Sequence, residues 1–364
     1  MGVPKPAKHL LVGSTEAYSG KSAIILGIAF QLQERGVEIA YGKPLGTCLS
    51  ESPDDILDED VRFLADTLKL SSERLRKTLL TLDDQTIQTQ LADGAGFERH
   101  RLLADYHNSI PNVDITLIEG PSTLEEGLAF NLSLTHLAEV LDAPVILVAR
   151  YRSPLVVDRL VSAKQRLGDR LLGVVLNDAP EAALTEIETT VKPYLQKHQI
   201  TFLGALPQTP LMRSVSVGEL VSRLKAEVLC CDNRLDLMVE SLTVGAMNVS
   251  SALRYFRKAT NMAVVTGGDR TDIQLAALET STQCLILTGH LPPSPQVLSR
   301  AIDLEIPILS VDLDTLSTVE IIDQTFGQVR FHEPIKIECL RHLMTQHFDI
   351  NPLLDQLGLS AVSA

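Results

Sequence analysis

Short apolar runs alternate with amphipathic stretches along most of the chain. Residues 9–12 form one such run, and after a turn-rich segment Ile24, Ile25, Ile28, Ala29 and Leu32 recur at helical spacing within 21–35. Gly36 stops that helix, 37–41 is β-prone and Lys43-Pro-Leu-Gly46 ends the strand in a turn, so the opening predicts a βαβ unit and a parallel sheet. An acidic, Pro-containing stretch at 50–60 predicts a loop, and 61–70 and 72–80 predict helices. The apolar runs 115–118, 145–148 and 172–176, bounded by Gly, Pro or Asp, predict strands covered on both faces. Helices are expected at 153–167 and 182–195, and one more strand and turn at 202–207.

From about residue 232 the alternation begins again. It predicts a helix at 250–256, a strand at 262–266, a turn at Gly267-Gly-Asp-Arg270 and a helix at 273–279. A strand at 285–287, a helix at 294–304, a strand at 308–311 and a helix at 316–326 follow. The expected architecture is α/β: a mostly parallel sheet with helices on both faces over 1–230, a smaller α/β domain over 231–336, and a C-terminal helical segment, 337–364. That last segment is suited to covering a sheet edge or joining a partner.

Composition narrows the classes. A chain of 364 residues that is 45% hydrophobic and 21% charged is neither a single small module nor disordered in bulk. Lys and Arg total 32 against 46 Asp and Glu, a net charge of −14, and no dense basic run appears, so a nucleic-acid partner is not expected. No apolar run reaches the roughly 18 residues of a membrane span, and the opening residues lack the apolar core of a secretory signal. The expectation is a cytoplasmic protein without a membrane partner. Five cysteines, odd in number and without a C-x-x-C pair, read as buried small hydrophobes. Among nine histidines, His342 and His347 are five apart and do not stack on one helix face, so no histidine metal cluster is expected.

The richest chemistry lies in Gly13-Ser-Thr-Glu-Ala-Tyr-Ser-Gly20-Lys21-Ser22, between the first strand and the first long helix. Backbone N–H groups of such a loop face phosphate oxygens, the helix N-terminus adds its positive end, Lys21 supplies a point charge and Ser22 can ligate Mg²⁺. Thr15 stands where the usual pattern has its first glycine. Thr15, Glu16, Ser19, Gly20, Lys21 and Ser22 are therefore the candidate nucleotide-binding residues, with a purely structural loop as the alternative. Glu119, at the end of the strand 115–118, stands where a parallel-sheet nucleotide protein needs a carboxylate for magnesium.

Several segments, in order, resemble the dethiobiotin-synthetase-like P-loop domain. They are Ser14-Thr-Glu with Ser19-Gly-Lys-Ser22, Tyr41-Gly-Lys43-Pro-Leu-Gly46, Asp58-Glu-Asp60-Val, Ile118-Glu119-Gly120, Gly173-Val-Val-Leu-Asn177 and Leu203-Gly-Ala-Leu-Pro207. The resemblance spans about residues 8 to 228. It implies a P-loop NTPase-type sheet that binds ATP with Mg²⁺. It also implies that Lys21 and Lys43 act on the transferred phosphate, that Ser22, Asp60 and Glu119 hold the metal, and that Asn177 faces the base. Where dethiobiotin synthetases carry a glycine-rich segment, this chain has Pro121-Ser-Thr-Leu-Glu125-Glu126, which argues against a biotin-precursor substrate.

Val244-Gly-Ala-Met247, Val265-Thr-Gly-Gly-Asp-Arg-Thr271, Leu275-Ala-Ala-Leu278 and Leu287-Thr-Gly289 resemble the DRTGG domain. That likeness suggests ligand sensing or dimerisation, with Gly268, Asp269 and Arg270 as a regulatory anion site or, equally, a structural turn in which Arg270 pairs with a nearby acid. Together the two domains look like the N-terminal regulatory half of long bacterial phosphate acetyltransferases, whose acyltransferase domain is not found in this sequence, so acetyl transfer is not expected. Three readings follow. The first is a regulatory protein whose nucleotide state is coupled to the DRTGG domain and to a dimer or protein-partner interface. The second is an ATP-dependent ligase or amide-forming synthetase acting through an acyl or carboxy phosphate. The third is a P-loop scaffold.

Overall fold

The computed structural model describes residues 8–46, 58–93, 103, 106, 112–327 and 333–359. The chain divides into two compact units: Met1–Gln208 with Phe331–Ala364, and Thr209–Arg330.

The first unit opens with β1 (His9–Ser14) and α1 (Lys21–Gln33), followed by β2 (Ile39–Gly42), α2 (Glu59–Leu68) and β3 (Leu75–Arg76). Then come β4 (Ile115–Glu119), β5 (Val145–Arg150), α3 (Val156–Leu167), β6 (Leu171–Ala179) and β7 (Phe202–Pro207). These strands form a seven-stranded sheet in the order β3-β2-β4-β1-β5-β6-β7, and every pairing is parallel. The strands β1, β2 and β4 are buried at every position, as expected where helices cover both faces. On one face Val156, Leu160, Ala163 and Leu167 of α3 join Leu147 and Leu176 in a continuous apolar core.

One expected helix is absent. Residues 72–74 form a single 3₁₀ turn, and Leu75–Arg76 pairs in parallel with Tyr41 and Gly42. The free edge of β2 offered unpaired backbone groups, and pairing there outweighs the local helical pattern.

The second unit contains α4 (Val217–Leu224), β8 (Glu227–Cys230), β9 (Ser241–Val244), β10 (Met262–Gly267) and α5 (Thr271–Leu278). It continues through β11 (Thr282–Thr288), β12 (Ile308–Val311) and α6 (Thr315–Gly327). Its five strands lie in the order β8-β12-β11-β10-β9, parallel except for β8 against β12. Strand alternation splits the core: Met262 and Val264 face one apolar cluster, Ala263 and Val265 the other. The second cluster includes Val217, Leu220 and Leu224 of α4, which is why the division falls at Thr209 and not near Cys230 as the sequence suggested.

The C-terminal segment returns to the first unit as α7 (Pro334–His347) and α8 (Asn351–Leu357). The helix α1 is buried along Ala23 to Leu32, and a helix apolar all round needs cover on both sides. The helix α7 supplies the outer cover: Gln31 Nε2 donates to the Met344 carbonyl at 3.1 Å, and the Arg341 guanidinium lies 3.8 Å from the Phe30 ring centroid. Beyond α7 the chain pairs with the outer edge of β7, with Phe348 bridging Gly204 antiparallel and Asp349 N donating to Leu203 O at 2.8 Å. The segment therefore covers a sheet edge, one of the roles its sequence suggested.

The cysteines are less uniformly buried than expected. Cys284 is buried, Cys230, Cys231 and Cys339 are half-buried, and Cys48 lies outside the described residues. Cys230 ends an edge strand, where one side has no neighbour to cover it. No helix among the described residues is long and apolar enough to cross a membrane.

A Cβ on Gly204 would stand 2.0 Å from the His347 carbonyl oxygen. Gly204→Ala should therefore push the 347–350 strap off β7, lowering stability by about 1–3 kcal/mol, the usual cost of overpacking. The urea midpoint should fall, and the Asp349 amide should lose protection from hydrogen exchange.

Candidate functional site

Three adjacent parallel strands, β2, β4 and β1, end together and deliver the candidate residues to the carboxyl end of the first sheet. Between β1 and α1 the loop turns at Gly20, whose φ of 87° is left-handed and whose missing side chain admits the Asn177 amide: a Cβ there would lie 2.2 Å from Asn177 Nδ2. Asn177 Nδ2 donates to the Ser19 carbonyl at 2.8 Å. Its amide nitrogen thus braces the phosphate loop, a role different from the base contact expected of it. Arg150, at the end of β5, donates to the Tyr18 carbonyl at 2.7 Å and pairs with Asp178 at 3.2 Å. Glu16, expected to contact nucleotide, pairs with Arg152 at 3.3 Å and Arg159 at 3.2 Å, so its charge is matched on the protein side.

At the start of α1 the loop meets Glu119. This carboxylate is 2% exposed and accepts on Oε1 from Lys21 Nζ at 3.0 Å and from Ser22 Oγ at 2.9 Å. Its Oε2 accepts from the hydroxyl of fully buried Tyr41 at 2.7 Å. Burial by itself would raise the Glu119 carboxyl, but the Lys21 and Lys43 charges and the Tyr41 and Lys21 hydrogen bonds outweigh it and hold the group down at about 2. Tyr41 is pushed well up, by burial first and then by the Glu119 charge beside it.

Lys43 forms the second centre. Its Nζ lies 2.9 Å from Asp58 Oδ1 and 2.5 Å from Asp60 Oδ2. Burial opposes its charge, yet Glu119, Asp60 and Asp58 together raise its pKa above the ordinary lysine value. Asp58 is 1% exposed, caps α2 and accepts from Asp60 N at 3.0 Å, so the cap fixes both acids relative to Lys43. Asp60, expected on the metal, is held by Lys43, whereas Ser22 and Glu119 are in mutual contact.

Two features fit a phosphate ligand with a hard cation. The hydroxyls Thr15 Oγ1 and Ser19 Oγ are buried without a protein partner, which is costly unless something else satisfies them. Ser22 with Glu119 offers the sparse oxygen set that suits Mg²⁺, an ion held by one or two carboxylates together with phosphate oxygens. Among the described residues no three His, Cys, Asp or Glu side chains gather into an all-protein metal site.

In the second unit, Gly268, Asp269 and Arg270 open α5. Arg270 donates to Asp272 Oδ1 at 3.2 Å and to the Met247 carbonyl at 2.9 Å. Buried Gln274 donates to the Gly267 and Gly268 carbonyls at 2.9 and 3.0 Å. The guanidinium is engaged in an acid-paired turn, which favours the structural alternative over an open anion hook.

The Glu119 cluster has an acid signature. A carboxyl held near 2 when folded, against an ordinary 4.5, contributes stability that is complete above 4.5 and is lost as pH falls from there towards about 2. Glu119→Gln should lower stability at neutral pH by about 3 kcal/mol, the scale for removing one partner of a buried pair. Thermal melts of the two proteins should converge as pH falls through that window.

Residues 8–216 match the AAA domain family and residues 219–325 the DRTGG domain family. The phosphate acetyltransferase of Synechocystis sp. is 27% identical over 305 residues, 79% of this chain and 43% of that protein. The phosphate acetyltransferase of Nitratidesulfovibrio vulgaris is 25% identical over 382 residues, 96% of this chain and 52% of that protein. The ATP-dependent dethiobiotin synthetase BioD of Pseudomonas paraeruginosa is 25% identical over 204 residues, 54% of this chain and 88% of that protein. The chain thus spans about half the length of the phosphate acetyltransferases it matches. A braced P-loop facing a buried strand-end carboxylate is the arrangement expected of the first matched family, and the chain belongs to the AAA domain family, with a DRTGG domain following it in sequence.

Proposed function

We propose that this chain is a cytoplasmic regulatory protein that binds ATP with Mg²⁺ at the P-loop. Its nucleotide state is coupled to the DRTGG domain and, through it, to a homodimer or protein-partner interface. The observation that carries the reading is the meeting of Lys21, Ser22 and Glu119 beneath a loop with two unpartnered buried hydroxyls. On this reading Lys21 exchanges its contact with Glu119 for phosphate oxygens, while Ser22 and Glu119 hold the cation. Bound Mg²⁺ supplies positive charge opposite the terminal phosphates.

A second reading has one observation in its favour. Lys43 is fixed by Asp58 and Asp60 and is close enough to Glu119 for each to feel the other's charge, and on this reading its ammonium stabilises a transferring phosphoryl group. That suits an ATP-dependent ligase acting through an acyl or carboxy phosphate, and substrate-stimulated ADP release would distinguish it.

Calorimetric titration of MgATP into wild type should give saturable binding, weakened at least about tenfold (~1.4 kcal/mol) in Lys21→Ala. Glu119 keeps Tyr41 and Ser22 as partners in that variant, so it should fold, and equal circular dichroism would confirm it. No binding by folded wild type would leave the P-loop as a scaffold. Coupling requires that nucleotide have different affinities for two states of the second domain. Hydrogen exchange across 232–330 should therefore differ between ATP-bound and ADP-bound protein, and identical exchange would refute the coupling.

A further inference from the structure

The two oxygens of Glu119 are not equivalent. Oε1 faces Lys21 and Ser22, whereas Oε2 is taken by the Tyr41 hydroxyl at 2.7 Å. Tyr41 sits on β2, paired in register with Leu117 of β4 two residues before Glu119. Its side chain is fully buried. A core position of this kind needs only an apolar filler, and its neighbours Ile39 and Ala40 are of that type. Burying a phenol instead demands a partner, and the partner here is the carboxylate of the phosphate site. The other nearby acids are committed as well, since Asp58 and Asp60 both hold Lys43.

We propose that Tyr41 is a positioning residue that sets cation specificity. By holding Oε2 it leaves Glu119 a single oxygen for a divalent ion, which favours Mg²⁺ over Ca²⁺. Mg²⁺ takes ligands singly in a near-octahedral shell and keeps several waters, whereas Ca²⁺ gathers 6–8 oxygens and readily uses both oxygens of a carboxylate. The inference rests on the nucleotide-binding reading above, and its test separates the two.

ATP is titrated calorimetrically into wild type and Tyr41→Phe with either Mg²⁺ or Ca²⁺ as the only divalent ion. Wild type should bind at least about tenfold more weakly with Ca²⁺, and in Tyr41→Phe the gap should narrow several-fold as Oε2 becomes free to ligate. A merely structural tyrosine would weaken both titrations equally and leave their ratio unchanged, which would overturn the role of Tyr41 alone. Wild type decides independently of the variant: equal affinity with the two ions would also overturn it. Failure of folded wild type to bind ATP with either ion would instead bring down the nucleotide-binding reading, and this inference with it.

Discussion

A carboxylate taken out of water must be matched by charge and hydrogen bonds, or it will not stay ionised. Glu119 is such a group, and much of the first unit serves to satisfy it. The strand β4 carries it to the carboxyl end of the sheet, β2 brings Tyr41 to one of its oxygens, and the start of α1 brings Lys21 and Ser22 to the other. Those three segments are neighbours only because β1 and β2 flank β4 in the sheet. Sheet order and site chemistry are therefore one constraint: exchanging two strands would leave a buried charge unmatched.

Around that centre lies a layer of side chains that contribute geometry. Asn177 and Arg150 hold the backbone of the phosphate loop from β6 and β5, while the capped start of α2 fixes Asp58 and Asp60 against Lys43. Preorganisation of this kind matters because a ligand then meets groups already in place and loses less entropy on binding. The loop glycine illustrates the tolerance involved, since the room left by its absent side chain is filled by an amide.

Much of this was legible from the sequence. Strand–loop–helix around Lys21, the strand-end position of Glu119 and the alternation of both sheets all follow from local periodicity, which short-range physics dictates. Tyr41 and Asp58 were in view within their motifs but had no role, because their importance lies in partners 78 and 15 residues away. Residues 72–80 read as a helix because nothing local reveals that β2 has an edge to fill. The boundary near Cys230 failed for a similar reason: α4 is amphipathic on any reading, and only the apolar cluster it joins assigns it to the second sheet. For Arg270 the sequence left an anion site and an acid-paired turn equally open, because one of the groups that engages it, the Met247 carbonyl, lies 23 residues back.

The return of the chain after Arg330 has a consequence for biosynthesis. The outer face of α1 and the open edge of β7 are complete once residue 208 has been made, yet the residues that cover them come after Thr209–Arg330. During translation a buried-type helix and a bare strand edge must therefore wait, wet and unpaired, while an entire second unit is synthesised. Exposed edges and apolar faces in nascent chains are where wrong pairings begin. The helices α7 and α8 thus act as a closing latch, and termination anywhere in the second unit would release a first unit that is adhesive.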